Sequence, residues 1–297
     1  MVIPAEQQRR DGVAVVDKPA GWTSHDVVAK ARGLLRNKKI GHSGTLDPDA
    51  TGVLVLGVGR VTRLLRFLTV LGKTYTCEIV LGVETATLDA SGEVVATHDM
   101  GAVTVADVQR AAADLTGDIW QVPPMVSAVK VDGRRLHELA RAGQEVERAA
   151  RPVHVARFDV EPVPGSPGVY RAEVECSSGT YVRSLAADLG GALGGGAHLR
   201  DLRRTAIGSF GEAEARPLDE LEVLAPAVAM RDYDAVVVDG DVAAAVSYGK
   251  VLPAEALGVA GAGPWAVLSA VGDLLAVYEP HRHGSVKPAV VLVPAAT

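Results

Sequence analysis

The sequence predicts an α+β fold, with a mixed or antiparallel sheet carrying helices and a small β module after it. Three observations predict it. "KTYTCEIVLG" and "GVYRAEVECSSG" alternate apolar and polar residues at the period of a half-buried strand. "TSHDVVAKARGLLRNKK" and "YVRSLAADLGGAL" repeat apolar residues at the helical period. From about residue 236 the texture changes to short apolar runs divided by Gly/Pro turns, as expected of a separate β module. A chain of 297 residues can hold one large domain and a small one.

The elements follow in order. "GVAVVDKPAG" is a short strand closed by Lys18-Pro19 and Gly21. In the next helix, Thr23 and Asp26 stand at capping-box spacing, with Asp a weaker partner there than Glu. Val27, Ala31, Leu34 and Leu35 share one face, while Lys30, Arg36 and Lys38 fall on others. "TGVLVLGVG" suits a buried strand and "RVTRLLRFL" a helix with Arg60, Arg63 and Arg66. In "KTYTCEIVLG", Tyr75, Cys77, Ile79 and Leu81 point one way. Helical and loop material is expected from there to about residue 150. "GVYRAEVECSSG" is a strand ending in a turn. The helix after it stacks Val182, Leu185, Ala186 and Leu189.

Composition narrows the function classes. Cys77 and Cys176 lack CxxC partners, so neither a zinc site nor a disulfide framework is expected, and a reducing cytoplasm is the default. No apolar run reaches membrane-helix length, and "MVIPAEQQRRDG" lacks the apolar core of a signal peptide. The net charge of -6 argues against a polyanionic partner only until its distribution is read. Val27 to Cys77 holds nine basic residues and two acids, Asp47 and Asp49, whereas the excess acidity lies after residue 210. A local basic patch is what a phosphate backbone responds to.

Several strings carry little. "GKT" at Gly72 to Thr74 lacks the earlier glycine of a phosphate loop, "GVGRVT" is a lone GxG, and "GGALGGGAH" reads as a helix end. His281 and His283 without further ligands do not make a metal site. "GHSGTLDPDATG" is different. It crowds two carboxylates, a histidine and three hydroxyls into twelve residues before a buried strand. Pro48 biases Asp47 toward extended backbone, so its carboxylate can stand out from a rigid turn. An Asx turn would explain one such aspartate but neither His42 nor the flanking basic helices. "DPDAT" also fits the DxDxT of haloacid-dehalogenase-type phosphatases. That motif ends an apolar strand, however, and here the strand comes after. An aspartate acting at a sugar or base of a nucleic acid suits the basic surroundings better.

At "GHSGTLDPDATGVLVLGVGRVT" the sequence resembles the catalytic motif of the TruB family of tRNA pseudouridine synthases. "DKPAGWTS", "KTY", "PPMVSAVKVDGRRLHELARAG", "CSSGTYVRSLAADLG" and "GGAHLRDLRR" resemble further family motifs in the same order, over roughly residues 11–210. The tail looks similar to the PUA-like RNA-binding module. The resemblance implies a pseudouridine synthase catalytic domain over 1–235, with an RNA-contacting insertion at roughly 122–150, and a PUA-like domain over 236–297. It implies conversion of uridine to pseudouridine at position 55 in the T arm of tRNA, without cofactor or metal. The expected enzyme is a stand-alone monomer that needs no guide RNA and no membrane. A non-catalytic RNA chaperone or scaffold and a guide-RNA-dependent synthase are the alternatives.

The resemblance also implies roles. Asp47 is the nucleophile, which can add to the sugar or base or assist departure of the base. Arg183 pairs with it, Tyr75 stacks on the target base, and Tyr181 and Leu202 line the uracil pocket. His42 fills the space left by the flipped uridine. Lys18, grouped with the substrate-binding residues, supports the active-site floor together with Pro19. Lys38, Lys39, Arg60, Arg63 and Lys130 are expected phosphate contacts as a set.

Overall fold

The computed structural model describes residues 10–125, 130–131, 134–135 and 146–292. Most of the expected RNA-contacting insertion, and the side chain of Lys130, lie outside the described residues. In chain order the first strands are β1 (Gly12–Lys18), β2 (Ile40–His42), β3 (Thr51–Val58), β4 (Lys73–Leu81), β5 (Val83–Thr85), β6 (Val94–Thr97) and β7 (Gly117–Gln121). Next come β8 (Lys130–Val131), β9 (Arg134–Arg135), β10 (Arg151–Pro162), β11 (Val169–Cys176), β12 (Ala197–Ile207) and β13 (Phe210–Gly211). The last are β14 (Ala235–Val238), β15 (Leu252–Pro253), β16 (Trp265–Ser269), β17 (Leu274–Pro280) and β18 (Ser285–Val291). The α-helices are α1 (Ser24–Leu34), α2 (Leu65–Thr69), α3 (Val105–Asp114), α4 (Val182–Ala192), α5 (Gly240–Ser247) and α6 (Ala254–Leu257). The chain forms two units, one of residues 1–48, 52–70 and 207–297, the other of 49–51 and 71–206.

In the first unit β3 is flanked by β1 and β2, both antiparallel to it. Val53, Leu54, Val55 and Leu56 are all fully buried, which is why this strand reads as an unbroken apolar run. Helix α1 closes one face, with Val27, Ala31 and Leu35 packed among Val16, Leu54 and Leu56. Val28 is buried with them, while Leu34 packs at the margin. Truncating Leu56 to alanine in such a site costs about 2–5 kcal/mol. The capping box forms in full: Asp26 N–H donates to Thr23 Oγ1, and Thr23 N–H donates to the Asp26 carboxylate. The two Thr23 donors hold the Asp26 carboxyl below the usual carboxylate range. The helix stops sooner than its basic tail suggests, because Arg36 turns to φ 49°.

"RVTRLLRFL" begins as a 3-10 turn over Gly59–Leu64 and becomes α-helical only at α2. Thr62 Oγ1 donates to Gly59 O at 2.7 Å, a side-chain bond that competes with the helical ladder. The arginines here have partners within the protein. Arg60 bonds Asp11 and donates from Nη1 to Leu292 O at 2.6 Å, and Arg63 Nη1 donates to Val291 O at 2.7 Å. Arg66 pairs with Glu279 at 2.7 Å. These side chains bond the C-terminal sheet through two of its last carbonyls and an acid, so Arg60 and Arg63 already have protein partners.

That sheet runs β14-β16-β17-β18-β15, parallel between β14 and β16 and antiparallel elsewhere. Its core gathers Val246 of α5, Leu257 of α6, Trp265, Val267 and Tyr278. Tyr278 is fully buried yet keeps its hydroxyl bonded to Lys250 O at 2.8 Å, as a buried phenol requires. The small β module expected from the Gly/Pro texture is therefore present. His281 and His283 lie in the loop before β18.

In the second unit the strand order is β12-β4-β11-β10-β7, antiparallel from β4 onward. β4 alternates perfectly, with Lys73, Tyr75, Cys77, Ile79 and Leu81 buried and the residues between them half-buried. Helix α4 buries Val182, Leu185, Ala186 and Leu189, as its periodicity requires. Helix α3 packs against β10 and α4. The stretch expected to be helix and loop holds more: β5 and β6 pair as a hairpin, and β7 pairs with β10. Among the described residues no helix is long and apolar enough to cross a membrane.

Candidate active site

Asp47 lies half-buried in the loop between β2 and β3, and the chain is pinned on both sides of it. Upstream, Leu46 N–H donates to Ser24 Oγ at 2.9 Å, and that hydroxyl lies 3.3 Å from Leu46 O. Downstream, Pro48 O accepts from Lys18 Nζ at 2.9 Å and from Gly21 N–H at 2.9 Å. Gly21 sits at φ 79° and Gly52 at φ 98°, conformations that favour glycine, so the loop can turn where it must. The Pro48 carbonyl takes both donors through its two lone pairs. The backbone of Asp47 is thereby ordered from helix α1, strand β1 and the turn after it.

Lys18 has no exposed surface and also donates to Pro19 O at 2.9 Å and Trp22 O at 2.6 Å. Its ammonium spends its donors inside the protein. This corrects the grouping of Lys18 with residues that touch the substrate and leaves its role as support of the floor. His42 ends β2 half-buried, with its Nδ1 accepting from Gly44 N–H at 3.3 Å. The ring of His25 meets it edge to face, with centroids 5.4 Å apart. Lys38 and Lys39 are exposed, as phosphate contacts must be.

The second unit holds Tyr75, Tyr181, Arg183 and Leu202. Tyr75 is buried on β4, opposite Val174 of β11. Arg183 is only 5% exposed in the first turn of α4. Its Nη1 donates to Thr87 O at 3.0 Å and stands 3.4 Å from Asp89 Oδ2. The other oxygen of Asp89 accepts from Thr87 Oγ1 at 2.6 Å, Ser91 Oγ at 2.6 Å and Ser91 N–H at 3.1 Å. The guanidinium is thus aimed by a carboxylate that is itself held. Tyr181 caps α4, and the Gln121 side chain brackets it, accepting from Tyr181 N–H at 2.8 Å and donating to Tyr181 O at 3.2 Å. Leu202 is half-buried on β12.

Asp89 and Gln121 are the residues that sequence reasoning missed. The "TLDAS" spacing of hydroxyls around an aspartate signals an ordered turn, but nothing in it points to Arg183. The cysteines are core residues: burial pushes the Cys77 thiol up to about 12 and the Cys176 thiol up to about 11, which keeps both protonated. Among the described residues no cluster of His, Cys, Asp and Glu is arranged to hold a metal ion.

Comparison with known proteins places this arrangement. Residues 32–182 match the TruB family pseudouridylate synthase N-terminal domain, and residues 183–240 match the tRNA pseudouridylate synthase B C-terminal domain. The tRNA pseudouridine synthase B of Rhodococcus jostii (strain RHA1) is 48% identical, over 96% of this chain and 95% of that protein. The enzyme of the same name from Arthrobacter sp. (strain FB24) is 46% identical, over 96% of this chain and 97% of its own length. Among solved structures, a Cbf5-Nop10-Gar1 complex contains a chain matched at TM-score 0.74 and 27% identity, covering 98% of this chain and 88% of that one. The two-unit fold, the ordered Asp47 loop and these matches agree: the chain belongs to the TruB family of pseudouridylate synthases.

Proposed function

We propose that this tRNA pseudouridine synthase isomerises the uridine at position 55 of the T arm, with Asp47 as nucleophile. The observation that carries the reading is the clamp on either side of Asp47, by Ser24 at Leu46 and by Lys18 and Gly21 at Pro48. A loop aspartate with no chemical task does not need its backbone fixed from three directions. A reacting carboxylate does, because misplacement by about 1 Å can cost roughly a hundredfold in rate.

In the proposed reaction the bond between uracil N1 and ribose C1′ breaks, the base turns, and C5 bonds to C1′; the proton on C5 is lost and N1 gains one, so the product is an isomer of the substrate. Asp47 serves by adding to the sugar or base, or by assisting departure of the base. Arg183 supplies the cation that favours an ionised aspartate, and its own orientation is set by Thr87 and Asp89. Tyr75 stacks on the base, Tyr181 and Leu202 line its pocket, and His42 takes the place of the flipped nucleotide. Lys38 and Lys39 contact phosphates. The reaction needs no cofactor or metal.

The catalytic domain is assigned to residues 1–235 and the PUA-like domain to 236–297. The enzyme works in the cytoplasm as a monomer without guide RNA, a reading supported by bacterial relatives of the same length named for tRNA. The test is position-mapped pseudouridine formation on an unmodified tRNA transcript with no guide RNA added. Product confined to the T-arm uridine is expected. Binding without product would return the reading to a scaffold or a guide-dependent enzyme.

A further inference from the structure

The rings of His25 and His42 stand at 83° to one another, with centroids 5.4 Å apart. The two residues reach this contact from different elements, His25 from the first turn of α1 and His42 from the end of β2. Both backbones are tied to neighbouring elements. The Thr23–Asp26 capping box fixes the start of α1, and Ser24, beside His25, bonds Leu46 of the Asp47 loop. His42 is seated in the sheet opposite Leu56. Its Nδ1 accepts the Gly44 N–H at 3.3 Å, an arrangement that favours the tautomer with the ring proton on Nε2.

We propose that His25 is a positioning residue for tRNA: it holds the His42 ring edge to face while the Gly44 amide selects its tautomer. The inference rests on the reading of His42 as the side chain that takes the place of the flipped nucleotide. A ring that must enter a base stack binds better if its rotamer and tautomer are set beforehand, because ordering it then costs nothing at the moment of binding. His25 is exposed on a helix start, and its ring abuts that of His42. An edge-to-face pair also needs no charge, so a phenyl ring can replace His25 in this role.

The experiment uses the full chain and an unmodified tRNA transcript. His25→Ala is expected to raise KM about three- to tenfold with kcat little changed, the effect of one aromatic pair on binding. His25→Phe is expected to restore KM to within about twofold of wild type. In parallel, 15N spectra of histidine-labelled protein are expected to show His42 with a bare Nδ1 and a protonated Nε2. In His25→Ala the same signals should move toward a mixture of tautomers. Unchanged KM in His25→Ala, a His25→Phe variant as impaired as the alanine, or His42 signals indifferent to His25 would overturn the proposal. Absence of product with wild type would instead remove the functional reading, and the tautomer spectra would still judge the positioning.

Discussion

Nη1 of Arg183 stands 3.4 Å from Oδ2 of Asp89, and the residue before that aspartate, Leu88, is in the left-handed region at φ 63°. A leucine in that conformation costs on the order of 1 kcal/mol or more. The turn keeps it because Thr87 and Asp89, on either side, then present a carbonyl and a carboxylate to one buried guanidinium. The strain and the ion pair belong to a single device that aims Arg183.

Replacing Asp89 with asparagine keeps the shape and removes the charge. If Asp89 contributes about 2 kcal/mol to the placement of Arg183, kcat falls about 30-fold. Single-turnover pseudouridine formation by Asp89→Asn checks this, with tRNA affinity expected within a few-fold of wild type. A variant as fast as wild type would separate Asp89 from catalysis.

The basic residues divide into two groups that a salt titration can tell apart. Lys39→Ala should lower the slope of log affinity against log salt by about 1, the loss of one phosphate contact. Arg63→Ala should leave that slope unchanged and lower the melting temperature by about 2–4 °C, because its partner is Val291 O of the C-terminal sheet. Fluorescence anisotropy over a salt series, with thermal melts of both variants, would reveal the reverse pattern if Arg63 served RNA.

Lys73 supplies a pH test. Burial, and secondly the charge of nearby Arg204, hold its ammonium at about 8, below the ordinary 10.5. Between those values the unfolded chain binds the proton that the folded chain has released, so stability rises with pH through this window. Below pH 8 both states are protonated and the full penalty is present. Relative to Lys73→Met, wild type should therefore gain on the order of 2 kcal/mol between about pH 7.5 and 10, read from urea unfolding. A pH-independent difference would place the Lys73 ammonium in water-like surroundings.

What the sequence disclosed was what neighbours in sequence determine. The Thr23–Asp26 cap, the alternation of β4 and the buried face of α4 each follow from residues a few positions apart, and all are present. β10 escaped notice because its register shifts between Val155 and Arg157, which puts Val153 and Val155 out of phase with Phe158 and Val160. β12 escaped because its sequence is rich in charge, including an arginine, Arg204, that is only 1% exposed. At the site, the Asp47 loop announced itself by composition. Asp89 did not, since its partner lies far along the chain and only the folded turn brings them together. Lys18 was legible as a motif residue, but its burial and its three carbonyl partners were not.

The most direct test is Asp47→Asn, measured for single-turnover pseudouridine formation and for tRNA affinity in the same preparation. The expected result is a rate lowered by more than about a thousandfold, the scale of losing a nucleophile, with affinity within a few-fold of wild type. Retained turnover, or loss of tRNA binding and of folding together with activity, would show that the clamped aspartate holds the loop and does not perform the chemistry.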